Sequence, residues 1–415
     1  MRIIASAEAF GYGPASKLHA ICSNIGRRGG ASHFFGNDVS LTFAKSNSDT
    51  YASITEVASM VELARVSPDG YTAAVSVMDP FLVAWAAYHR LPCVYVDSLY
   101  WMWNWEGLSE EDMMADATAI TAAASIDEAM RLMAGLEMHR SQYVAHVLCT
   151  TACVQRAPGA SERADALRGH PNVRLIDSIV DLTHRSPADP DLWLVTTSGL
   201  LSPVVPIELG VSWAQSACAL VDEAAQLSGC TEPMVLTGNP EVLERVSPTL
   251  PARFQPVSLN HDAILEHQNR AIACLTPPGL TTILESAGYG TPVVFLPEQH
   301  YAHFANYRLL TSDGAPARYV DTLLNTRLDR SAGGDVAVET RSLIAQLEVQ
   351  RRERTEIWSA MVGALAEGML QVRDDRARVA RRQNELVSEL FGGHGGAEEV
   401  YETLESVTDT VAVTR

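Results

Sequence analysis

The sequence is short of positive charge: 31 lysines and arginines stand against 50 aspartates and glutamates, a formal net charge of -19. Binding along a nucleic-acid backbone is driven by Lys and Arg neutralising phosphates, so this balance argues against such a surface. The chain also lacks any uninterrupted apolar stretch approaching the ~18 residues of a membrane span. Its opening, MRIIASAEAF, lacks the basic and then apolar order of a secretory signal. No membrane association and a cytoplasmic location are therefore expected. Metal-site spacing is missing as well: Cys149 and Cys153 are close, but no second Cys/His pair follows at zinc-site distance. The cysteines, seven in all and mostly embedded in apolar runs, read as reduced core thiols. Finally, Gly11 and Gly13 are followed by Pro14 and not by a third glycine, so the dinucleotide fingerprint is absent and NAD binding is rejected.

What is present is an ordinary globular composition, 47% apolar and 20% charged over 415 residues, which is too long for one hydrophobic core and suits two domains. Short apolar runs alternate with helical patterns. Strands are predicted at Arg2 to Ser6, Ala31 to Gly36, Ala73 to Val77, Cys93 to Val96, Val144 to Cys149 and Val173 to Ile176, with helices at Ala15 to Ile25 and Pro80 to His89. This is a doubly wound α/β pattern. The polar, Pro-containing stretch His184 to Pro190 marks a boundary, after which the programme restarts with strands at Leu192 to Thr196, Pro233 to Leu236, Ala271 to Leu275 and Pro292 to Leu296. The expected domains are 1–186 and 191–390, with a tail at 391–415. From Val338 to Leu390 the chain reads as charged helix, its arginine-rich turns forming a solvated, ion-paired face. The glycine run Gly392 to Gly396 reads as a flexible hinge before an acidic helix.

The most informative segment is TPPGLTTILESAGYGTPVVFLPEQHYAHFAN, Thr276 to Asn306. A strand delivers Pro277, Pro278 and Gly279, and a helix begins near Leu280 with Thr281 and Thr282 in its first turn. The free N–H groups of such a helix start, with the two hydroxyls, suit a pyrophosphate without metal or lysine. Glu285 follows on the same helix, where a carboxylate can accept hydrogen bonds from two vicinal ribose hydroxyls.

The run Gly279, Thr282, Glu285, Gly290, Pro292 and Pro297 resembles the donor-binding signature of UDP-dependent GT-B glycosyltransferases. The resemblance implies a GT-B α/β fold: two Rossmann-like doubly wound domains facing each other across a cleft, with C-terminal helices. It places Gly279, Leu280, Thr281 and Thr282 at the diphosphate and Glu285 on the ribose. Glu298, Gln299 or Asn306 would meet the donor sugar. The segment Pro256 to Leu265 resembles the family's nucleobase-reading stretch, with His261 near its centre, and the opening loops of the two halves add Gly13, Ser198 and Gly199 as donor-binding candidates. Two departures stand out. Pro277 occupies the place where the family often has a phosphate-binding histidine, and the acidic/amide pair is not at its usual distance.

In the N-terminal half the loop after the first strand carries Glu8 and Tyr12, and two further strand ends carry Asp79 and Asp97. These four are the candidates for activating or orienting an acceptor, with an N-cap role as the plain alternative for Asp79. The aromatic run Tyr100 to Trp105 reads as a wall for a flat acceptor or as a core plug, with the wall preferred. The Val-Tyr-Val-Asp-Ser-Leu run and the Gly-Tyr-Gly-Pro-Ala-Ser-Lys loop are similar to cytosylglucuronate synthases of nucleoside-antibiotic pathways. The implied function is inverting, metal-independent transfer of a sugar from a UDP-sugar to a small molecule in specialised metabolism. Glucuronic acid is the candidate sugar and a pyrimidine nucleobase such as cytosine the candidate acceptor. No cofactor beyond the nucleotide sugar is expected, and a homodimer is a candidate assembly. The alternatives are a UDP-sugar 2-epimerase and a catalytically inactive GT-B partner protein.

Overall fold

The computed structural model describes residues 1–166, 172–197, 200, 205–299, 303, 306–307, 310 and 336–414. They form two compact units: Met1–Val180 together with Leu390–Arg415, and Asp181–Glu389.

The first unit is built on seven parallel strands: β1 (Arg2–Ala7), β2 (Ala31–Gly36), β3 (Ser53–Glu56), β4 (Ala73–Val77), β5 (Cys93–Asp97), β6 (Thr151–Gln155) and β7 (Val173–Ile176). Their order is β3-β2-β1-β4-β5-β6-β7. The central strands β4 and β5 are buried at every position, as expected of a parallel sheet covered on both faces. Helix α1 (Gly13–Arg27) follows the turn at Gly11, whose φ of 66° is one that glycine adopts without steric cost. Helix α3 (Pro80–Tyr88) is apolar all round because it is enclosed, with Leu82, Val83, Ala84, Trp85 and Ala86 in the core. The strand order reverses between β1 and β4, so their carboxyl ends flank the switch point of the sheet.

Three sequence expectations change here. The run Val144–Cys149 is not a strand. Val144 to Leu148 continue the helix α6 (Met138–Leu148), with Ser141 through His146 all buried, and the strand lies just beyond it at Thr151–Gln155. A six-residue apolar run fits a strand and an enclosed helix equally well. Strand β3 was not foreseen because its sequence, SITE, is a mostly exposed edge with no apolar run. The glycine run is not a free hinge either. The Ser178 N–H donates to the Gly393 carbonyl (3.0 Å), the Gly396 N–H donates to the Ser178 carbonyl (3.1 Å), and Ile179 bridges Gly395.

Beyond that run the helix Gly396–Thr414 packs on α1 and on β5 and β6. Ala397, Val400, Tyr401 and Leu404 enter the same apolar cluster as Ile3, Ile21 and Val75. Arg28 stacks over the Tyr401 ring at 4.2 Å, and Arg174 donates to the Thr403 hydroxyl at 2.8 Å. The glycines permit this close return.

The second unit has five parallel strands: β8 (Leu192–Thr196), β9 (Met234–Thr237), β10 (Phe254–Pro256), β11 (Ala271–Thr276) and β12 (Val293–Phe295), in the order β10-β9-β8-β11-β12. Helices α8 (Ile207–Ser228), α9 (Pro240–Val246), α10 (His261–Arg270) and α11 (Leu280–Tyr289) alternate with them. Trp193, Trp213 and Trp358 fill the core, the last from the helix Glu356–Phe391. Arginines of that helix are used internally: Arg376 donates to the carbonyls of Ala271 and Ile272 at 3.0 Å, and Arg373 to that of Ser228 at 2.8 Å.

A Cβ added at Gly396 would lie 2.2 Å from the Asp177 carbonyl oxygen, a backbone atom that cannot swing away. Gly396→Ala is expected to destabilise the chain by about 1–3 kcal/mol through overpacking, read as a lower denaturation midpoint. An unchanged midpoint would show that the return of the C-terminal helix tolerates slack.

Candidate functional site

In the second unit the site grows from the end of β11. Pro277 and Pro278 stiffen the exit, and the Gly279 N–H closes a tight turn onto the Pro277 carbonyl at 2.6 Å. Gly279 is the N-cap of α11 in extended geometry and provides no side-chain cap; the first regular helical bond runs from the Ile283 N–H to the Gly279 carbonyl at 3.1 Å. The N–H groups of the first turn therefore face outward from the strand end, where a helix start attracts anions. Thr281 and Thr282 are half-buried beside them, and Leu280 is buried. Asn306 braces the turn by donating to the Pro278 carbonyl at 2.9 Å.

One turn into α11, Glu285 is 6% exposed, and its carboxylate lies 3.4 Å from Nε2 of His261. His261 is the first residue of α10, a helix capped by Asn260, whose side chain accepts the Ala263 N–H at 2.9 Å. Two residues from separate motifs, one expected at the nucleobase and one at the ribose, are thus neighbours. A residue that sequence reasoning missed holds the two helices in register: Gln268 of α10 donates to the Ser286 hydroxyl and to the Thr282 carbonyl of α11. A glutamine inside a helix gives no signal of such a role.

Glu298 and Gln299 follow β12 and are both 1% exposed. The Gln299 side chain donates to the Thr197 carbonyl beyond β8 at 2.8 Å, its N–H donates to Nδ1 of His303 at 3.2 Å, and the Glu298 carbonyl accepts the Trp213 indole N–H at 3.3 Å. The pair is anchored to β8 and α8, at the carboxyl edge of the same sheet. Ser198 and Gly199 lie outside the described residues.

In the first unit the candidates gather at the carboxyl ends of β1, β4 and β5. The Glu8 N–H donates to the Val77 carbonyl at 2.9 Å, extending the register in which Ser6 faces Ser76 and Ala7 faces Val77. The residue is half-buried, and burial of its carboxyl and then the Asp79 charge push it up to about 8. Asp79 follows Met78, which is held at a φ of 59°. Asp79 is the N-cap of α3, accepting the Phe81 N–H at 3.0 Å, and it also takes the Ser6 hydroxyl at 2.5 Å. Burial raises it to about 6 while these hydrogen bonds pull it down. Asp97 is fully buried and accepts from the Leu99 N–H, the Trp103 indole and Nε2 of His146, each at 2.8 Å. That set of partners makes it a structural tie between β5, the following loop and α6.

The aromatic run is chiefly a core plug, not an acceptor wall. Tyr100 and Trp103 are buried, and Trp105 donates to the His139 carbonyl at 2.7 Å under the Arg163 guanidinium, 5.0 Å away. The indole hydrogen bond to Asp97 explains the inward turn of Trp103, since a buried indole N–H needs an acceptor. Tyr12 is the N-cap of α1, with its carbonyl accepting the Ser16 N–H at 2.8 Å and its ring edge-on to Phe43 at 5.3 Å; Gly13 opens the helix.

Among the described residues no three His, Cys, Asp or Glu side chains form a metal-sized cluster, and no helix is long and apolar enough to cross a membrane.

The raised Glu8 carboxyl has a consequence for stability. A carboxyl that titrates near 8 in the fold and near 4.5 when unfolded favours folding only while protonated, so its contribution is full below the unfolded value and is lost as pH rises through the folded one. Glu8→Gln is expected to raise the melting temperature relative to the parent at about pH 9 and to leave it little changed at about pH 4. An equal effect at both pH values would contradict the placement.

No protein-family model matches this sequence, and no curated protein does. Among solved structures, Medicago truncatula UGT71G1 complexed with UDP-glucose is similar over 98% of both chains, with 12% identity and a TM-score of 0.52. The glycotransferase of kitacinnamycin is similar over 97% of this chain and 98% of its own, with 13% identity and a TM-score of 0.50. At these identities the likeness concerns fold: the chain has two parallel doubly wound α/β sheets with C-terminal helices, as in GT-B glycosyltransferases.

Proposed function

We propose that the chain transfers a sugar from a nucleotide diphosphate sugar, UDP-linked, to a small-molecule acceptor, with inversion and without a metal. The reading rests on one observation: a helix start after β11 whose N-cap is glycine lies one turn from a buried Glu285 that meets His261 of α10. The arrangement offers donors for a diphosphate, an acceptor for ribose hydroxyls and an imidazole edge for a base. The fold it sits in is shared with a protein whose structure holds UDP-glucose.

In this mechanism the acceptor's N or O lone pair bonds to the anomeric carbon from the face opposite the leaving group. The bond from that carbon to the diphosphate oxygen breaks, its electron pair leaves on the nucleotide diphosphate, and the acceptor proton passes to a general base. The N–H groups of Leu280, Thr281 and Thr282 and the threonine hydroxyls stabilise the departing charge, most strongly where it develops. Glu8 is the candidate for the base: of the three acids at these strand ends it is the half-buried one, and its carboxyl is pushed up to about 8, within reach of the pH at which general bases work best. Glucuronic acid as the sugar and cytosine as the acceptor are the specific pair to try first, on the sequence likeness of the Gly11 to Lys17 loop and the Val94 to Leu99 run.

The test is UDP release from a panel of UDP-sugars in the presence of a chelator. Release that depends on an added acceptor supports transfer, and release without one points to an epimerase-type reaction. Glu285→Ala is expected to weaken UDP binding tenfold or more, about 1.4 kcal/mol, with the thermal unfolding of the free protein preserved. Unchanged affinity would contradict the ribose assignment.

A further inference from the structure

The three acids at the sheet edge of the first unit are not equivalent. Asp97 is fully engaged by a backbone amide, an indole and an imidazole. Asp79 is 2% exposed and fixed by the Ser6 hydroxyl and the Phe81 N–H. Glu8 follows the neighbouring strand, in the register that sets Ala7 beside Val77, and is half-buried where Asp79 is fully buried.

The tie between them is built into the sheet. Ser6 of β1, two residues before Glu8, whose N–H continues the pairing onto Val77, reaches across to Asp79. Ser76 of β4, paired with Ser6, donates to the Asp79 carbonyl at 2.5 Å, fixing the turn from the other strand. Met78 accepts a left-handed backbone to make the turn, and its carbonyl is held by the Gln142 side chain at 3.1 Å. Non-glycine residues adopt such a φ only where the surroundings impose it.

We propose that Glu8 and Asp79 act as a carboxyl pair, in which ionised Glu8 takes the proton of a neutral N–H or O–H acceptor and Asp79, locked by Ser6, is the positioning residue whose negative charge makes Glu8 a strong enough base to do so. The role in turnover rests on the glycosyl-transfer reading; the pair itself does not. Like charges held close resist double ionisation, so the second proton is retained to higher pH. Between the two titrations the remaining proton sits on Glu8, so Glu8 acts as a base only as the second proton leaves, and the negative charge on Asp79 favours an uncharged acceptor over an anionic one. The ionisable groups around Glu8 are Asp79 on the β4 to α3 turn and Tyr95 and Asp97 on β5; α1, which packs on β1, carries Lys17, His19 and Arg27. The charge that acts on Glu8 is that of Asp79.

The test is carbon-13 NMR titration of labelled glutamate carboxyls in the full chain, with Glu8→Gln identifying the Glu8 resonance. Asp79→Asn keeps a side-chain oxygen for the helix cap, and Ser6→Ala weakens the hold on Asp79 without touching either carboxyl. The Glu8 midpoint is expected to fall by roughly one pH unit in Asp79→Asn, and to fall by less in Ser6→Ala. A Glu8 midpoint that does not move in Asp79→Asn overturns the pair. With a donor and acceptor that turn over, the acid limb of kcat/KM is expected to follow the same shift and to vanish in Glu8→Gln; a limb that ignores both substitutions overturns the catalytic role. If no nucleotide sugar is consumed by the parent, the transfer reading fails while the titration still decides the pair.

Discussion

The N-terminal backbone of α11 cannot satisfy its own hydrogen bonds. Every helix leaves its first N–H groups without intrahelical acceptors, and here the residue that would cap them is glycine. A helix start with no side-chain cap, at the carboxyl edge of a parallel sheet, suits an anion, and several contacts in the second unit hold it in place. The two prolines stiffen the approach, Asn306 holds the turn from outside, and Gln268 ties the helix to α10 so that Glu285 and His261 stay in register. The acidic chain needs no basic patch to bind a phosphate this way, because the positive end of the helix is made of backbone.

The first unit solves a complementary problem with the opposite material. Its strand ends present carboxyls, not amides, and the surroundings sort three chemically similar groups into distinct roles. Hydrogen bonds hold Asp97 as a structural tie and partly offset burial at Asp79, while Glu8, pushed up by burial and by the Asp79 charge, stays protonated to higher pH. Environment, not residue type, separates a base from a brace. The position of these groups at the reversal of strand order is where open α/β sheets place their ligands.

Much of the fold was legible because parallel strands are short apolar runs separated by helical spacing, and both sheets follow that pattern. The strand, turn and helix around Gly279 were readable from two prolines, a glycine and two threonines in succession. What could not be read was decided by tertiary packing. Val144 to Leu148 belong to a helix because α6 is enclosed on several sides, which removes the amphipathic signal. Trp103 turned inward because Asp97, six residues earlier, accepts its indole proton. The run Gly392 to Gly396 is ordered by backbone partners at Ser178 and Ile179, far away in sequence, and glycine there reports close approach, not freedom. In the site itself, the meeting of His261 with Glu285 and the Ser6 hydrogen bond to Asp79 depend on register between elements, which no single motif encodes.

Hydrogen–deuterium exchange with and without saturating UDP reads directly whether a nucleotide diphosphate seats on the backbone at the start of α11. Slowed exchange is expected in the segment 279–285 with UDP, and none there when uridine replaces it. Protection by UDP elsewhere in the chain with none in that segment would contradict that seating.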